Sequence, residues 1–205
     1  MKYLDKLKRK LNMNKKGLGF IIGISIIGFL FGCFFIIIIS VSDKTLVKEY
    51  ITSFLNNIRL GNFNYLDIFK NTFINNMIFV VILWILGMSV IGIPVNIFYY
   101  FLKNFVLGFT ISAFILTYKL KGCLFALIYV IPHNLINIFL YMILLYYSLN
   151  FSITLIYSNV KKKNLNFKLL MNKYIKIFIF ITIGVLITSL YETIILPNLF
   201  KYLLK

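Results

Sequence analysis

The residues able to carry out chemistry are few and far apart in this sequence. The chain holds one histidine, His133, and two cysteines, Cys33 and Cys123. A zinc site requires three or four His, Cys or carboxylate ligands at workable spacing, and no such group is present in the sequence. Paired carboxylates, phosphate-binding glycine loops and nucleotide motifs are also missing. We therefore predict no enzyme activity, no metal and no cofactor.

One pair of residues suits nucleophilic catalysis inside a membrane. Ser89 follows Gly87 and Met88, and His133 lies on a different apolar segment, so an intramembrane serine protease is one alternative. Small residues such as Gly and Ser are also enriched where membrane helices pack closely. We interpret Ser89 as a packing residue on this ground.

Glu192 is the one acidic residue within the apolar segments of the sequence. Ionisable groups inside a membrane are functional candidates by default. We expect Glu192 near the external end of its helix, where it reaches the interface or pairs with Lys119 or Lys121; an ion or proton site is the alternative. His133, beside Pro132, is interpreted as a hydrogen-bond partner at a helix break.

The composition of the chain indicates whether these residues lie in water or in a membrane. Of 205 residues, 61% are hydrophobic and 13% charged, and the mean hydropathy is +0.93, whereas a water-soluble domain holds roughly 45–50% apolar and about 25% charged residues. The net charge of +17 does not indicate nucleic acid, because that function needs a folded basic face in water. Here the basic residues lie between long apolar runs, as in membrane proteins.

The apolar runs predict an all-α, polytopic integral membrane bundle of about five transmembrane helices. A span needs about 20 apolar residues. The chain is divided into a basic cytoplasmic tail (1–16), a first span (17–41), an external amphipathic segment (42–72) and a membrane domain with spans two to five (73–205). The first run is too long for a signal peptide and lacks a small-residue cleavage site, so we predict a retained anchor.

Prolines mark the expected ends of the later spans. Pro94 stops the second span and Pro197 closes the fifth, because proline lacks the amide hydrogen that a helix interior uses. Residues 123–157 are apolar throughout and, as one helix, would reach roughly 52 Å. We predict a break near Pro132, as a kink or a re-entrant loop. Lys103 is expected near the cytoplasmic surface, since a lysine at mid-membrane is costly.

The basic residues favour a cytoplasmic N-terminus and an external C-terminus. The two densest clusters, residues 1–16 and 161–176, fall on the same side when the chain crosses five times. Both clusters can also attract anionic lipid, at about 1 kcal/mol per residue.

The external segment carries a helical pattern of apolar residues. Asp43 is the expected N-cap and Gly61 the expected end. This apolar face has two possible roles. It packs on the bilayer surface or on the other helices, or it is a docking face for an external partner. The candidate docking residues are Leu46, Tyr50, Ile51, Phe54 and Ile58.

Small residues in the spans indicate close helix packing. The first span carries Gly19-xxx-Gly23 and Gly28-xxx-Gly32, which let another backbone approach, in this chain or in a second copy of it. We expect packing or structural roles for Trp84, Gly87, Ser89, Gly92, Pro94, Gly108, Pro132 and Glu192.

One block of sequence resembles a known family. Residues 84–94 read W-I-L-G-M-S-V-I-G-I-P, and the resemblance continues through 101–103, 107–110, Pro132 with 134–135, and 189–192 with Pro197. This pattern is similar to the stage II sporulation protein M family and covers essentially the whole chain. Wider relatives carry a Pro-His-Gly-x-x-Glu motif, and here Asn134 and Asn137 replace its Gly and Glu.

The resemblance implies a non-enzymatic component of endospore formation in the mother-cell septal membrane. Such a protein positions the peptidoglycan-degrading sporulation proteins D and P during engulfment. A transporter or channel subunit that uses the break near Pro132 and Glu192 is the alternative, because discontinuous helices often form binding sites inside membranes.

Overall fold

The computed structural model describes residues 15–61, 64–161 and 166–203, and within these ranges the chain is helical without any strand. The predicted all-α membrane bundle is confirmed. The elements are α1 (Lys15–Ile38), α2 (Val41–Leu60), α3 (Tyr65–Gly87), α4 (Gly92–Phe125), a π-helical turn (Ala126–Val130), α5 (Ile131–Lys161) and α6 (Phe167–Leu203).

Four helical stretches of the described chain are long and apolar enough to cross a membrane. They are Lys15–Ile38, Tyr65–Gly87, Gly92–Ser158 and Phe167–Leu199. The third has 67 residues and would reach roughly 100 Å if straight, so it must fold back. This stretch therefore crosses the membrane twice, and the four stretches together give five crossings.

The fold-back occurs at Lys119, whose backbone leaves the helical region with φ 51° and ψ −125°. A Cβ atom on Gly122 would collide with the carbonyl group of Phe114. These two residues are eight apart, which is roughly 12 Å along a straight helix. The chain therefore reverses at Lys119, and only glycine fits at the close approach that follows.

Pro132 does not separate a short helix from a long one. The irregularity is the π-helical turn Ala126–Val130, and Pro132 is the second residue of α5. The wider turn changes the hydrogen-bond pattern just where proline cannot donate. The predicted break is thus a local widening within a continuous helical path.

The other two prolines do not end spans, contrary to the prediction. The second span ends at Gly87, and Pro94 lies in the first turn of α4, where the missing amide hydrogen has no intrahelical partner in any case. Pro197 lies inside α6. Membrane helices tolerate such a proline when neighbouring groups satisfy the freed backbone.

The two ends of α2 are capped, but not both as predicted. Gly61 ends the helix with φ 72° and donates its amide hydrogen to the carbonyl of Ile58. Ser40, rather than Asp43, is the N-cap: its hydroxyl oxygen accepts from the Asp43 amide at 3.1 Å and donates to the Asp43 carboxylate at 2.6 Å. The hydroxyl lies one position before the helix, where an N-cap must be.

Glycines join α1 to α4. A Cβ on Gly32 would collide with the carbonyl of Phe105, and one on Gly108 with the carbonyl of Phe29. The partner of the Gly28-xxx-Gly32 face is therefore α4. By contrast, no heavy atom of another element lies within 4 Å of a Cβ built on Gly19 or Gly23.

Two apolar cores hold the bundle together. The larger core brings α1, α3, α4, α5 and α6 together around buried residues such as Val80, Leu83 and Leu144. The smaller joins α2 to the ends of α1 and α4 and to the π-helical turn. We call the end where α1 and α6 begin and α3 stops the basic end, and the opposite end, which carries α2, the far end.

Candidate functional site

A polar cavity lies among α3, α4, α5 and α6, within the apolar stretches. Its volume is about 240 Å³, and most of its lining is polar. The lining residues are Thr72, Asn75, Asn76, Lys103, Val106, Leu107, Thr110, His133, Asn134 and Glu192. Charged and amide groups are rare at such depth and mark functional positions when they occur.

Lys103 lies deep in the bundle, so its predicted place at the cytoplasmic surface is wrong. It follows Gly92, the start of α4, by 11 residues, which is roughly 16 Å and near mid-span. Its Nζ donates to Asn76 Oδ1 at 3.4 Å and lies 5.5 and 5.8 Å from the ring centres of Phe79 and Tyr141. These aromatic faces and the amide replace the water that a lysine otherwise requires.

Glu192 faces inward, towards His133. The distance between Glu192 Oε2 and His133 Nε2 is 3.6 Å, and the two side chains are 18% and 7% exposed. The predicted pairing with Lys119 or Lys121 is therefore wrong, because the Glu192 carboxylate on α6 faces α5 instead of the membrane–water interface. Lys103 lines the same cavity and brings a cationic side chain into it.

Amides and hydroxyls complete the polar cluster. Asn76 Oδ1 also accepts from the Tyr141 hydroxyl at 2.9 Å. Asn134 Nδ2 lies 2.8 Å from His133 Nε2 and donates to the carbonyl of Val130, in the π-helical turn, at 2.9 Å. The π-helical turn thus positions the His133 side of the cavity.

Sequence reasoning missed several members of this site. Asn75 and Asn76 stand together in an apolar run, which is a signal that could have been used. Outside the cavity lining, the Thr188 hydroxyl donates to Asn137 Oδ1 at 2.6 Å; this contact carries no comparable sequence signal, because threonine is common in membrane helices.

The structure separates Ser89 from His133. Ser89 lies in the turn after α3, and its carbonyl accepts from the Ser152 hydroxyl at 3.0 Å. Ser152 and His133 are 19 residues apart on α5, which is roughly 28 Å. A serine nucleophile and a histidine base must be within hydrogen-bond reach, so this pair cannot act as a protease.

The residues around Trp84 form a tight joint at the basic end. Trp84 packs against Tyr174 and Phe178, with ring centres 5.7 and 4.8 Å apart, and its carbonyl accepts from the Tyr174 hydroxyl at 2.9 Å. A Cβ on Gly87 would collide with Ser148 and Tyr174, and one on Gly92 with the carbonyl of Leu86. These residues pack the neighbouring helix ends against one another.

The helix α2 uses much of the predicted docking face to pack on its own bundle. Ile51 and Ile58 are buried in the smaller core, and Phe54 makes an edge contact with Tyr129 at 5.4 Å between ring centres. Leu46 and Tyr50 remain 62% and 75% exposed. The part of that face available to a partner is therefore limited to these last two residues.

The chain matches one known protein family. A family model described as Stage II sporulation protein M matches residues 20–197, a segment that includes the polar cavity, the Trp84 joint and α2. No curated protein and no solved structure matches.

Proposed function

This chain belongs to the stage II sporulation protein M family, and we propose that it is a non-enzymatic membrane scaffold that positions peptidoglycan-degrading proteins during engulfment. Family membership makes it a sporulation-related membrane protein. Its partners in this proposal are the sporulation proteins D and P, and its place is the mother-cell septal membrane.

The observation that carries this proposal is the fixed orientation of α2. Ile51, Leu55 and Ile58 are buried against α1, α4 and the π-helical turn, so the helix cannot rotate without exposing them. A second row of α2 residues then faces away from the bundle at spacings of three and four. This outer row comprises Leu46, Tyr50, Ser53, Asn57 and Leu60, all exposed.

The chemistry of the outer row suits a protein partner. Leu46, Tyr50 and Leu60 are 62%, 75% and 70% exposed. Exposed apolar side chains rimmed by polar ones mark interaction surfaces. A third face of α2, with Lys48, Thr52 and Asn56, is polar and exposed and serves as an internal comparison.

The proposed mechanism is local concentration. With the basic end in the cytoplasm, as the distribution of lysines favours, α2 faces the cell-wall side. Partners held there share a two-dimensional layer, which raises their effective concentration without any catalytic residue.

Substitution of outer-row residues tests whether α2 recruits the partner proteins. In a Leu46→Ala/Tyr50→Ala variant we expect about tenfold lower recovery of proteins D and P from sporulating cells and slower engulfment, because truncation of an interface anchor often costs about 1 kcal/mol or more. The control is Thr52→Ala/Asn56→Ala on the polar face, which should behave as wild type. Equal recovery from both variants would count against the outer row.

The polar cavity favours a second candidate function, solute or ion transport. Lys103, Glu192 and His133 meet inside the bundle beside a π-helical turn, and such midplane sites occur in transporters. This function requires flux in proteoliposomes that is lost in Glu192→Gln. Flux that persists in that variant would show that Glu192 takes no part in transport, and the absence of flux would leave the cavity a structural feature of the scaffold.

A further inference from the structure

A second cavity lies at the basic end, between α5 and α6. Its volume is about 240 Å³, and aromatic rings form its walls, with polar groups among them. Its lining includes Tyr146, Tyr147, Asn150, Phe151, Lys173 and Tyr174. The scaffold and transport proposals make no use of it.

Neighbouring contacts place this cavity at the level of the helix ends. Ser152, on the same stretch of α5, donates to the carbonyl of Gly87, the last residue of α3, at 2.6 Å. Tyr146 lies 3.2 Å from the Cβ position of Gly17, in the first turn of α1. Helix ends of a membrane bundle lie at the headgroup region, where Tyr side chains are enriched.

Among the residues that the structure describes, the charge at the mouth of the cavity is positive. Lys173 Nζ lies 5.2 Å from the centre of the Tyr147 ring, which holds the ammonium group beside the opening. Lys168 and Lys176 are exposed on the same helix, and Lys15 begins α1. Among the described residues at this end, none is acidic.

We propose that this cavity binds the phosphate headgroup of an anionic membrane lipid. Lys173 contacts the phosphate, the exposed amide of Asn150 donates to a headgroup oxygen, and the walls formed by Tyr147 and Phe151 contact the glycerol. Basic pockets between membrane helices at the headgroup level are typical sites for anionic lipids. Aromatic walls at this depth favour a lipid over free phosphate, which offers no apolar part.

The test is a binding titration of the purified full-length chain in detergent micelles. Phosphatidylglycerol and phosphatidylcholine are added separately, inorganic phosphate is then added in competition with phosphatidylglycerol, and bound lipid is counted by native mass spectrometry. We expect wild type to prefer phosphatidylglycerol, and Lys173→Gln to weaken its binding about fivefold, the loss for one lysine near a membrane surface. The matched control is Lys176→Gln, which removes an exposed lysine three residues on, outside the cavity.

Two results would overturn the proposal. Equal weakening in Lys173→Gln and Lys176→Gln would show diffuse attraction by the basic end instead of a site. Displacement of phosphatidylglycerol by millimolar inorganic phosphate would show that free phosphate is the ligand.

A second variant keeps the binding site testable if Lys173→Gln misfolds. If Lys173→Gln does not elute as a single species, Asn150→Asp places a negative charge at the same mouth from an exposed position. It should weaken phosphatidylglycerol binding more than phosphatidylcholine binding, and an unchanged lipid preference would contradict the site.

Discussion

At the scale of residues, the polar cavity depends on groups that balance each other. Lys103 and Glu192 line one space with opposite charges, and His133 lies 3.6 Å from the carboxylate. Removing one member of a buried charge pair leaves the other uncompensated, which is costlier than removing both. The cluster therefore links α3, α4, α5 and α6 even if it transports nothing.

A double-mutant cycle checks this coupling. Lys103→Met and Glu192→Gln should each lower the free energy of unfolding by about 3 kcal/mol, whereas the double variant should lose clearly less than the sum of the two. Thermal unfolding of the purified chain in micelles measures the three differences. Strictly additive losses would show that Lys103 and Glu192 do not interact.

At the scale of elements, apolar length predicts where spanning helices lie. It does not predict which helices, or which of their faces, contact one another. The 20-residue requirement agrees with the four helical stretches of the described chain that are long and apolar enough to cross a membrane. It could not reveal that Lys103 faces Asn76, because that depends on which faces of α3 and α4 meet. Likewise, proline does not mark the ends of these spans, since it is compatible with a first turn, as at Pro94, and with a supported helix interior, as at Pro197.

The contact between α1 and α4 gives a prediction at this scale. Gly32→Val should destabilise the bundle by about 1–3 kcal/mol, the usual cost of inserting methyl groups into a packed interior, because its Cβ would meet the backbone of Phe105. Gly19→Val is the matched control on the same helix, with no heavy atom of another element within 4 Å of its Cβ. Equal melting temperatures for the two variants would contradict the packing described.

At the scale of the whole molecule, the two ends differ in chemistry. The basic end carries lysines and an aromatic cavity near the helix ends, while the far end holds α2 against the bundle through a small apolar core. The family match over residues 20–197 includes both. We infer that the basic end fixes the protein in its membrane and the far end presents the outer row of α2.

Site-specific crosslinking in sporulating cells tests this account most directly. A photoreactive residue is placed at Tyr50 on the outer row or, for comparison, at Thr52 on the polar face of the same helix. The account predicts crosslinks from position 50 to a peptidoglycan-degrading protein, with few or none from position 52. Crosslinks from position 50 to lipid alone, or equal crosslinking from both positions, would contradict it.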